Sequence, residues 1–323
     1  MTSALVRSWR AATVISIGAA RESATSPAGR VVFVGSACIL TAAPVLLILL
    51  GAAEAPTSPD STATQSLWSA LAPSLVAAAL LLLISRNAQP LSPGYGGGRE
   101  ALVGQCAALC VLALLTPGLM TLAVASGMPA YPLYHLVKLA LLLLAAVLVV
   151  GGALGHRFAE LVPVGSVERL WRPVGRARWL MPLPAVVIFT YLAALSPLAP
   201  RWQVPSDVGA AFIVVAAGLT FVTANLLEEF FYRVLLQTRL EQLLGAWPGV
   251  LAGAVLFTLS HVPVQLSGDP ALALPEAVAY HGAFGLFTGL LWMRYRNFWL
   301  LLVVHTAVNT LPLVVAGLGE LRV

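Results

Sequence analysis

The sequence predicts an all-α protein that forms a polytopic transmembrane helical bundle of about 8–9 spans. Three observations predict this class: 59% of the 323 residues are hydrophobic, only 10% are charged, and several apolar runs are as long as a membrane span. A soluble domain carries about 25% charged residues, and an apolar run of about 18 residues can cross a bilayer as a helix. The composition therefore excludes a soluble enzyme, a nucleic-acid-binding protein and a disordered scaffold.

The apolar runs divide the chain into four predicted regions. Residues 1–30 are predicted to be a cytosolic N-terminal extension, 31–155 the N-terminal transmembrane helices, 156–178 a basic cytosolic loop, and 179–323 a second transmembrane domain. Each predicted helix is an apolar run that ends near Gly, Pro or charged residues. In chain order the runs lie at about 31–52, 66–85, 101–125, 133–154, 179–198, 207–226 with a helical continuation to 243, 248–266, 275–293 and 298–317.

The basic residues predict the orientation in the membrane. The segment 156–178 contains five arginines, whereas the loops near 125–131 and 267–275 contain no Lys or Arg. Because cytosolic loops carry an excess of Lys and Arg, we expect the basic segment and the N-terminus to lie in the cytosol. Lys138 is the only lysine among the 18 basic residues, and Ala, Gly and Pro are abundant. This bias favours a bacterial plasma membrane as the location.

Four glycines predict close helix packing in the second half of the chain. Gly249 and Gly253 are four residues apart, as are Gly285 and Gly289. Small residues at this spacing let the backbones of transmembrane helices approach closely. The spacing therefore predicts a tight bundle in this half.

A first cluster of charged residues lies in the run NLLEEFFYRVLL, residues 225–236. Charged side chains at membrane depth cost free energy and are by default paired or functional. Glu229 and Arg233 are four residues apart on one helix face, in the acid-first order that favours an ion pair. Two adjacent carboxylates cannot easily both ionise at low dielectric constant. We expect Arg233 to hold one of the two carboxylates ionised and the other carboxylate to accept protons; a purely structural ion pair is the alternative.

The run AVLFTLSHVP places Phe257 and His261 four residues apart in an apolar helix. A single histidine in such a helix is often only a packing residue. Glu228 and His261, however, are equidistant in sequence from the turn at 244–245. Equidistant residues of an antiparallel helical hairpin lie at similar depth, since both helices rise about 1.5 Å per residue. The spacing therefore predicts that a carboxylate and an imidazole converge.

The last predicted span contains His305 and Asn309, again four residues apart on one face. An asparagine there can also be a hydrogen-bonding contact between helices. His281, in AVAYHGAFG, has no predicted partner and is assigned to packing or a minor polar contact. The second half of the chain thus offers a second imidazole and an amide for the predicted cluster.

Taken together, the three motifs resemble a known family. The patterns EExxxR (Glu228, Glu229, Arg233), FxxxH (Phe257, His261) and HxxxN (His305, Asn309) stand in the order found in the CAAX-protease and bacteriocin-processing family of intramembrane endopeptidases. The stretch FGLFTGLLWMRYRNFWLLLVVHTAVN is also similar to the last conserved region of that family. The resemblance covers about residues 180–317 and does not reach residues 1–170.

The resemblance implies hydrolysis of a peptide bond within the membrane, near its cytosolic face. It assigns activation of the water to Glu228 with His261. It assigns hydrogen-bond donation to the developing oxyanion to His305 and Asn309. A base within reach of a water and preorganised donors at the oxyanion are what amide hydrolysis requires.

The other residues of the first motif, Glu229 and Arg233, are implied to organise Glu228. Residues 179–323 would then form the catalytic transmembrane domain. The implied partners are a membrane-embedded or lipidated protein or peptide substrate and the lipid bilayer, and no nucleic acid is expected.

We predict a glutamate-dependent mechanism with no cofactor. Zinc is the alternative, held by Glu228, His261 and His305, since two histidines and a carboxylate with one open position suit this metal. Against zinc, the chain contains no HExxH pair, and the two imidazoles come from different helices.

Two other functions fit the polar cluster: a non-catalytic membrane immunity or scaffold protein, and a proton-coupled transporter that uses the acids and histidines as a relay. The sequence shows no internal repeat of the kind that transporters use. A scaffold has no need for two carboxylates, two imidazoles and an amide together. The sequence therefore favours an intramembrane endopeptidase.

Overall fold

The computed structural model describes residues 26–56, 64–85, 98–126, 130–145, 178–200, 210–266 and 269–311. Over these residues the chain is almost entirely helical, which confirms the predicted all-α bundle. Most of the predicted N-terminal extension and all but the last residue of the basic segment 156–178 lie outside the described residues, as do the predicted ends of two spans, 146–154 and 312–317.

The described part of the first half contains four helices and one short hairpin. α1 begins where the Ser26 side chain accepts a hydrogen bond from the Gly29 N–H, and it ends at Gly51, whose φ of 68° suits glycine. In chain order the elements are α1 (Pro27–Leu50), β1 (Glu54–Pro56), β2 (Thr64–Ser66), α2 (Leu67–Ile84), α3 (Arg99–Ala125), α4 (Ala130–Lys138) and its π-helical continuation π1 (Leu139–Ala145).

β1 and β2 form a two-stranded antiparallel ladder in which Glu54 is opposite Ser66. The ladder lies in the connection between α1 and α2, that is, between the first two predicted apolar runs. Its backbone hydrogen bonds pair polar groups that would otherwise be unpaired at the edge of the bundle.

The described part of the second half is also helical, and several of its helices continue as π-helical turns. In chain order they are α5 (Leu183–Thr190), π2 (Tyr191–Leu195), α6 (Ala210–Thr220), π3 (Phe221–Leu226), π4 (Glu229–Gln237), α7 (Thr238–Leu244), α8 (Ala246–Leu259), α9 (Val262–Gln265), α10 (Ala273–Tyr295) and α11 (Phe298–Asn309). The elements from α6 to α7 follow one another as a single long helical segment.

Within the described ranges, five helices are long and apolar enough to cross a membrane, and three shorter helices are similarly apolar. The five are Pro27–Leu50, Leu67–Ile84, Arg99–Leu122, Arg178–Leu195 and Val214–Leu244, and the shorter three are His135–Ala145, Ala246–Leu259 and Phe298–Asn309. Large apolar side chains such as Leu49 and Val214 point outward and are more than 70% exposed. A continuous apolar exterior of this kind suits contact with lipid rather than water.

α10 lies at the centre of the bundle, where it packs against α8, α1 and α2. The sequence predicts this segment as one more span, and the structure shows a 23-residue helix with most side chains buried. Gly285 lies so close to α8 that an added Cβ would be 3.3 Å from Ala254 Cα. The close packing predicted from the glycine spacing is therefore present.

α7 and α8 form an antiparallel pair joined at Gly245, whose φ is 106°. A residue with a side chain rarely adopts this conformation, whereas glycine does so readily. The turn therefore lies where the sequence predicts it. It returns the chain from the acidic motif toward Phe257 and His261.

Gly249→Ala is expected to lower the free energy of unfolding by about 1–3 kcal/mol, because overpacking moves the backbone. A Cβ at Gly249 would lie 2.5 Å from the backbone nitrogen of Glu241, across the α7–α8 pair. Gly104→Ala on α3 is the matched control, since a Cβ there meets no atom within 4 Å among the described residues. Thermal unfolding in detergent micelles checks both variants, and equal melting temperatures would contradict the expectation.

The sequence predicts a regular helix through the acidic motif, but the structure places Glu228 between π3 and π4, and Glu229 and Arg233 within π4. At the end of π4, the Thr238 N–H donates to the carbonyl oxygen of Arg233, five residues earlier. Such widened turns are rare and occur frequently at functional sites. They change which residues of the segment share a face.

Candidate active site

Glu229 is buried and contacts two of the residues that the sequence singles out. His305 Nδ1 lies 2.8 Å from Glu229 Oε1, and Arg233 Nε lies 3.4 Å from Glu229 Oε2. The ion pair predicted from the spacing of Glu229 and Arg233 is therefore present. Because the carboxylate accepts, the Nδ1 atom of His305 carries the proton and donates it. Glu229 thus fixes the orientation of the His305 ring.

Glu228 is also buried, and it pairs with a cation that the sequence did not predict. Lys138 Nζ, from the end of α4, donates to Glu228 Oε1. The other oxygen, Oε2, accepts no hydrogen bond from the described residues, and it lies 3.7 Å from His305 Nε2. The expectation that only one of the two carboxylates has a cationic partner is therefore wrong. Packing of α4 on the acidic segment provides the second cation.

Arg233 is fully buried and has three kinds of contact. Besides Glu229, its Nη2 atom donates to Thr288 Oγ1 at 2.8 Å, and its guanidinium carbon lies 4.9 Å from the centre of the Phe257 ring. Thr288 donates its own hydroxyl hydrogen to the Phe284 carbonyl oxygen, so it is free to accept from arginine. Hydrogen bonding and a cation–π contact together compensate the buried charge.

His261 follows α8 and is positioned by its own turn. Its Nδ1 atom lies 3.1 Å from both the Phe257 carbonyl oxygen and Ser260 Oγ. Because a carbonyl oxygen can only accept, Nδ1 carries the proton, and in the neutral ring Nε2 is then a proton acceptor. Among the contacts of the described residues, His261 makes no hydrogen bond or ion pair with Glu228. The imidazole nearest to Glu228 is that of His305.

His281 stacks directly on His261. The two ring centres are 3.9 Å apart, and the ring planes differ by 22°. The stacking agrees with the assignment of His281 to packing, and it places the ring over one face of a predicted site residue. α10 carries His281 and α8 leads into His261, and only the packing of these helices brings the rings together.

Phe257 lies between the charged residues and the histidines. Its ring centre is 4.8 Å from that of His261 and 6.2 Å from that of His305, while Arg233 lies over its face. The FxxxH motif therefore places an apolar ring among the polar groups. This ring shields them from other polar contacts and fixes their spacing.

Asn309 lies at the end of α11 and contacts the acidic segment. Its Nδ2 atom donates to Asn225 Oδ1 at 2.8 Å, and Asn225 Nδ2 donates to Thr306 Oγ1 at 3.2 Å. Asn225 is fully buried and stands three residues before Glu228. An amide nitrogen has two hydrogens, so one hydrogen of Asn309 is available for another acceptor.

Sequence reasoning missed four residues of this cluster: Lys138, Asn225, His281 and Thr288. Lys138 had the clearest signal, because a lone lysine within an apolar run is by default paired or functional. The two polar uncharged residues and His281 had no comparable signal. Their partners lie on other helices, and no sequence spacing indicates them.

The three residues of the zinc alternative, Glu228, His261 and His305, have partners of their own in the described part of the chain. No group of three His, Cys, Asp or Glu side chains in the described part of the chain is arranged to hold a metal. His305 Nδ1 is directed at Glu229, and the Lys138 ammonium occupies Glu228 Oε1. A cation at Glu228 opposes the binding of a second cation to the same carboxylate.

Fold and site together define an integral membrane protein whose helices enclose a buried carboxylate–imidazole centre. Residues 209–311 match the family described as type II CAAX prenyl endopeptidase Rce1-like. This confirms the family predicted from the three motifs, over about a third of the chain. The match supports a CAAX-protease-type peptidase as the general class. No curated protein and no solved structure matches the chain.

Proposed function

We propose that this protein is an intramembrane endopeptidase that hydrolyses a peptide bond of a membrane-embedded or lipidated protein or peptide. One observation carries the proposal: Glu228 Oε2 is a buried carboxylate oxygen without a hydrogen-bond donor among the described residues, 3.7 Å from the imidazole that Glu229 orients. A buried acceptor of this kind fits a general base that binds a water. The family match of residues 209–311 supports a peptidase as the class.

In the proposed reaction, Glu228 Oε2 removes a proton from a water while the water oxygen attacks the carbonyl carbon of the scissile peptide bond. The protonated Glu228 then transfers that proton to the leaving amine nitrogen as the carbon–nitrogen bond breaks. The products are a carboxylic acid and an amine, so water is consumed and no other reactant is needed. Enclosure among helices strengthens these electrostatic interactions because it excludes bulk water.

The histidines and the amide have supporting roles in the proposal. His261 Nε2 can accept a hydrogen bond from the same water, because its Nδ1 proton is directed to Phe257. The second Nδ2 hydrogen of Asn309 donates to the oxyanion that forms on the carbonyl oxygen. His305 Nε2 joins it as a donor only in the doubly protonated ring, since Nδ1 already carries the proton that Glu229 accepts. Donors held in place before the reaction stabilise that charge without reorganisation. The ion pair of Glu229 with Arg233 supports His305.

We further propose a bacterial plasma membrane, a cytosolic N-terminus and a reaction near the cytosolic face. The arginine-rich segment 156–178 supports this orientation through the positive-inside rule. Candidate substrates are a leader peptide, a peptide precursor or another membrane protein.

The proposal is tested by comparing membrane peptides from cells that carry the wild type with those from cells that carry Glu228→Ala. Mass spectrometry is expected to find product termini in the wild type that are lost in the variant, with the uncut precursor accumulating. The purified wild type in liposomes should then cleave that precursor. If no peptide differs between the two strains, and liposomes instead show Glu228-dependent proton flux, the transporter alternative replaces the proposal.

Purified active protein is expected to contain no stoichiometric zinc, and a strong chelator should change the cleavage rate by less than about twofold, because Lys138 and Arg233 already compensate the carboxylates. Elemental analysis and cleavage assays with and without chelator check this. About one zinc per chain, with activity lost to the chelator and restored by zinc, would contradict the metal-free mechanism and leave the peptidase assignment unchanged.

A further inference from the structure

The only lysine of the chain is fully buried and forms an ion pair with the proposed catalytic base. Lys138 ends α4, in the half of the chain that lies outside the matched residues 209–311. A buried ammonium is costly unless it is paired, so its position opposite Glu228 requires an explanation that the matched segment alone does not provide.

α4 contacts the acidic segment at a second point, one turn earlier. His135 Nδ1 lies 2.5 Å from Thr223 Oγ1. Thr223 donates its hydroxyl hydrogen to the Leu219 carbonyl oxygen at 2.8 Å, so it accepts from His135. His135 and Lys138 lie three residues apart on one face of α4. His135 contacts Thr223, and Lys138 contacts Glu228.

Thr223 and Glu228 are five residues apart, and in an α-helix of 3.6 residues per turn they would be separated by about 140° around the axis. Thr223 lies within π3, which ends two residues before Glu228, and the wider π-helical turn moves the two residues toward one face. The same departure from α-helical geometry that surrounds the acidic motif therefore permits both contacts with α4.

We propose that Lys138 is a positioning residue that holds Glu228 Oε1 so that Oε2 faces the reacting water. This inference rests on the proposed function, since it assigns Lys138 a part in the same reaction. Lysine suits the task because its ammonium is a compact charge with three donors on a flexible stem. With Oε1 held, the carboxylate cannot rotate freely, and the first half of the chain becomes part of the active centre.

The test compares Lys138→Met with Lys138→Arg and with a matched control, Arg239→Met. Arg239 is another buried cation that ties the second half to the first, because its Nε atom donates to Gln105 Oε1 on α3. We expect Lys138→Met to lower kcat on the order of 10²-fold with little change in KM, as misplacement of a reacting group does. Lys138→Arg should recover part of kcat. Arg239→Met should lower thermal stability and leave kcat near the wild-type value.

The double variant Lys138→Met/Glu228→Gln tests whether Lys138 acts through Glu228. We expect it to melt at a higher temperature than Lys138→Met alone, because it leaves no unpaired buried charge. Its kcat should be no lower than that of Glu228→Gln, because the two changes affect one step. A folded Lys138→Met with wild-type kcat would overturn the positioning role.

If Lys138→Met fails to fold, the double variant Lys138→Met/Glu228→Gln becomes the test. A folded double variant supports the ion pair of Lys138 with Glu228. An unfolded double variant assigns Lys138 to folding alone and overturns the proposal. The proposed function can fail separately. If the wild type cleaves no substrate, both the proposed function and the positioning role of Lys138 are wrong. The melting temperatures of the Lys138 and Glu228 variants still show whether these two residues form an ion pair. Wild-type cleavage that Glu228→Gln abolishes and Lys138→Met does not would overturn only this inference.

Discussion

Glu228→Gln is expected to abolish peptide cleavage while the protein stays folded and inserted in the membrane. Glutamine keeps the volume of the side chain and an oxygen that can accept from Lys138, but it cannot take up a proton from water. General base catalysis contributes about 10²–10⁴-fold to a rate, so we expect at least this loss in kcat. The measurement is cleavage of a confirmed substrate by purified protein in liposomes.

Glu241→Gln is the matched control for this prediction. Glu241 is also buried, lies on α7 in the same helical segment, and forms an ion pair with Arg296. Its partners include Gln237, whose Nε2 atom donates to it at 2.7 Å, but none of the proposed catalytic residues. Glu241→Gln should therefore reduce stability and leave kcat near the wild-type value. Cleavage by Glu228→Gln at near the wild-type rate would show that Glu228 is not the base.

The second large effect is expected at the Glu229–Arg233 pair. Removal of one partner of a buried ion pair leaves an uncompensated charge and costs about 3–5 kcal/mol. We therefore expect Arg233→Ala and Glu229→Ala each to lower the free energy of unfolding by about this amount. The double variant should lose less than the sum, because it leaves neither charge unpaired. The measurement is thermal unfolding, in detergent micelles, of the wild type, the two single variants and the double variant. It gives the interaction free energy between Glu229 and Arg233.

The double variant Arg233→Ala/Glu241→Ala serves as the control for additivity. Arg233 contacts Glu229, Thr288 and Phe257, whereas Glu241 contacts Arg296 and Gln237, so the two side chains share no partner. Changes at sites without shared partners add to within about 0.5 kcal/mol. Additive losses in the Glu229–Arg233 double variant as well would mean that the two residues do not act as a pair.

Much of the fold follows from the sequence because the bilayer imposes simple rules. Apolar runs of sufficient length must be helical, since every backbone group has to be satisfied within the membrane. The bounds of α2 and α11 show this, as Leu67–Ile84 and Phe298–Asn309 begin within one residue of the predicted runs. The turn at Gly245 also lies where the chain predicts it. The π-helical turns do not follow from apolar periodicity, because widening one turn depends on how neighbouring helices pack.

The candidate site likewise has a part that the sequence predicts and a part that only the structure shows. The sequence by itself determined the membrane class, the three motifs, the family and the local Glu229–Arg233 pair, because each depends on composition or on residues within one helical turn of each other. Only the tertiary structure decided that Lys138 meets Glu228 across 90 residues of sequence, that His305 lies against both carboxylates, and that His281 covers His261. Contacts between helices depend on their rotation and depth in the bundle. Those two quantities result from the packing of all the helices together, and no single segment encodes them.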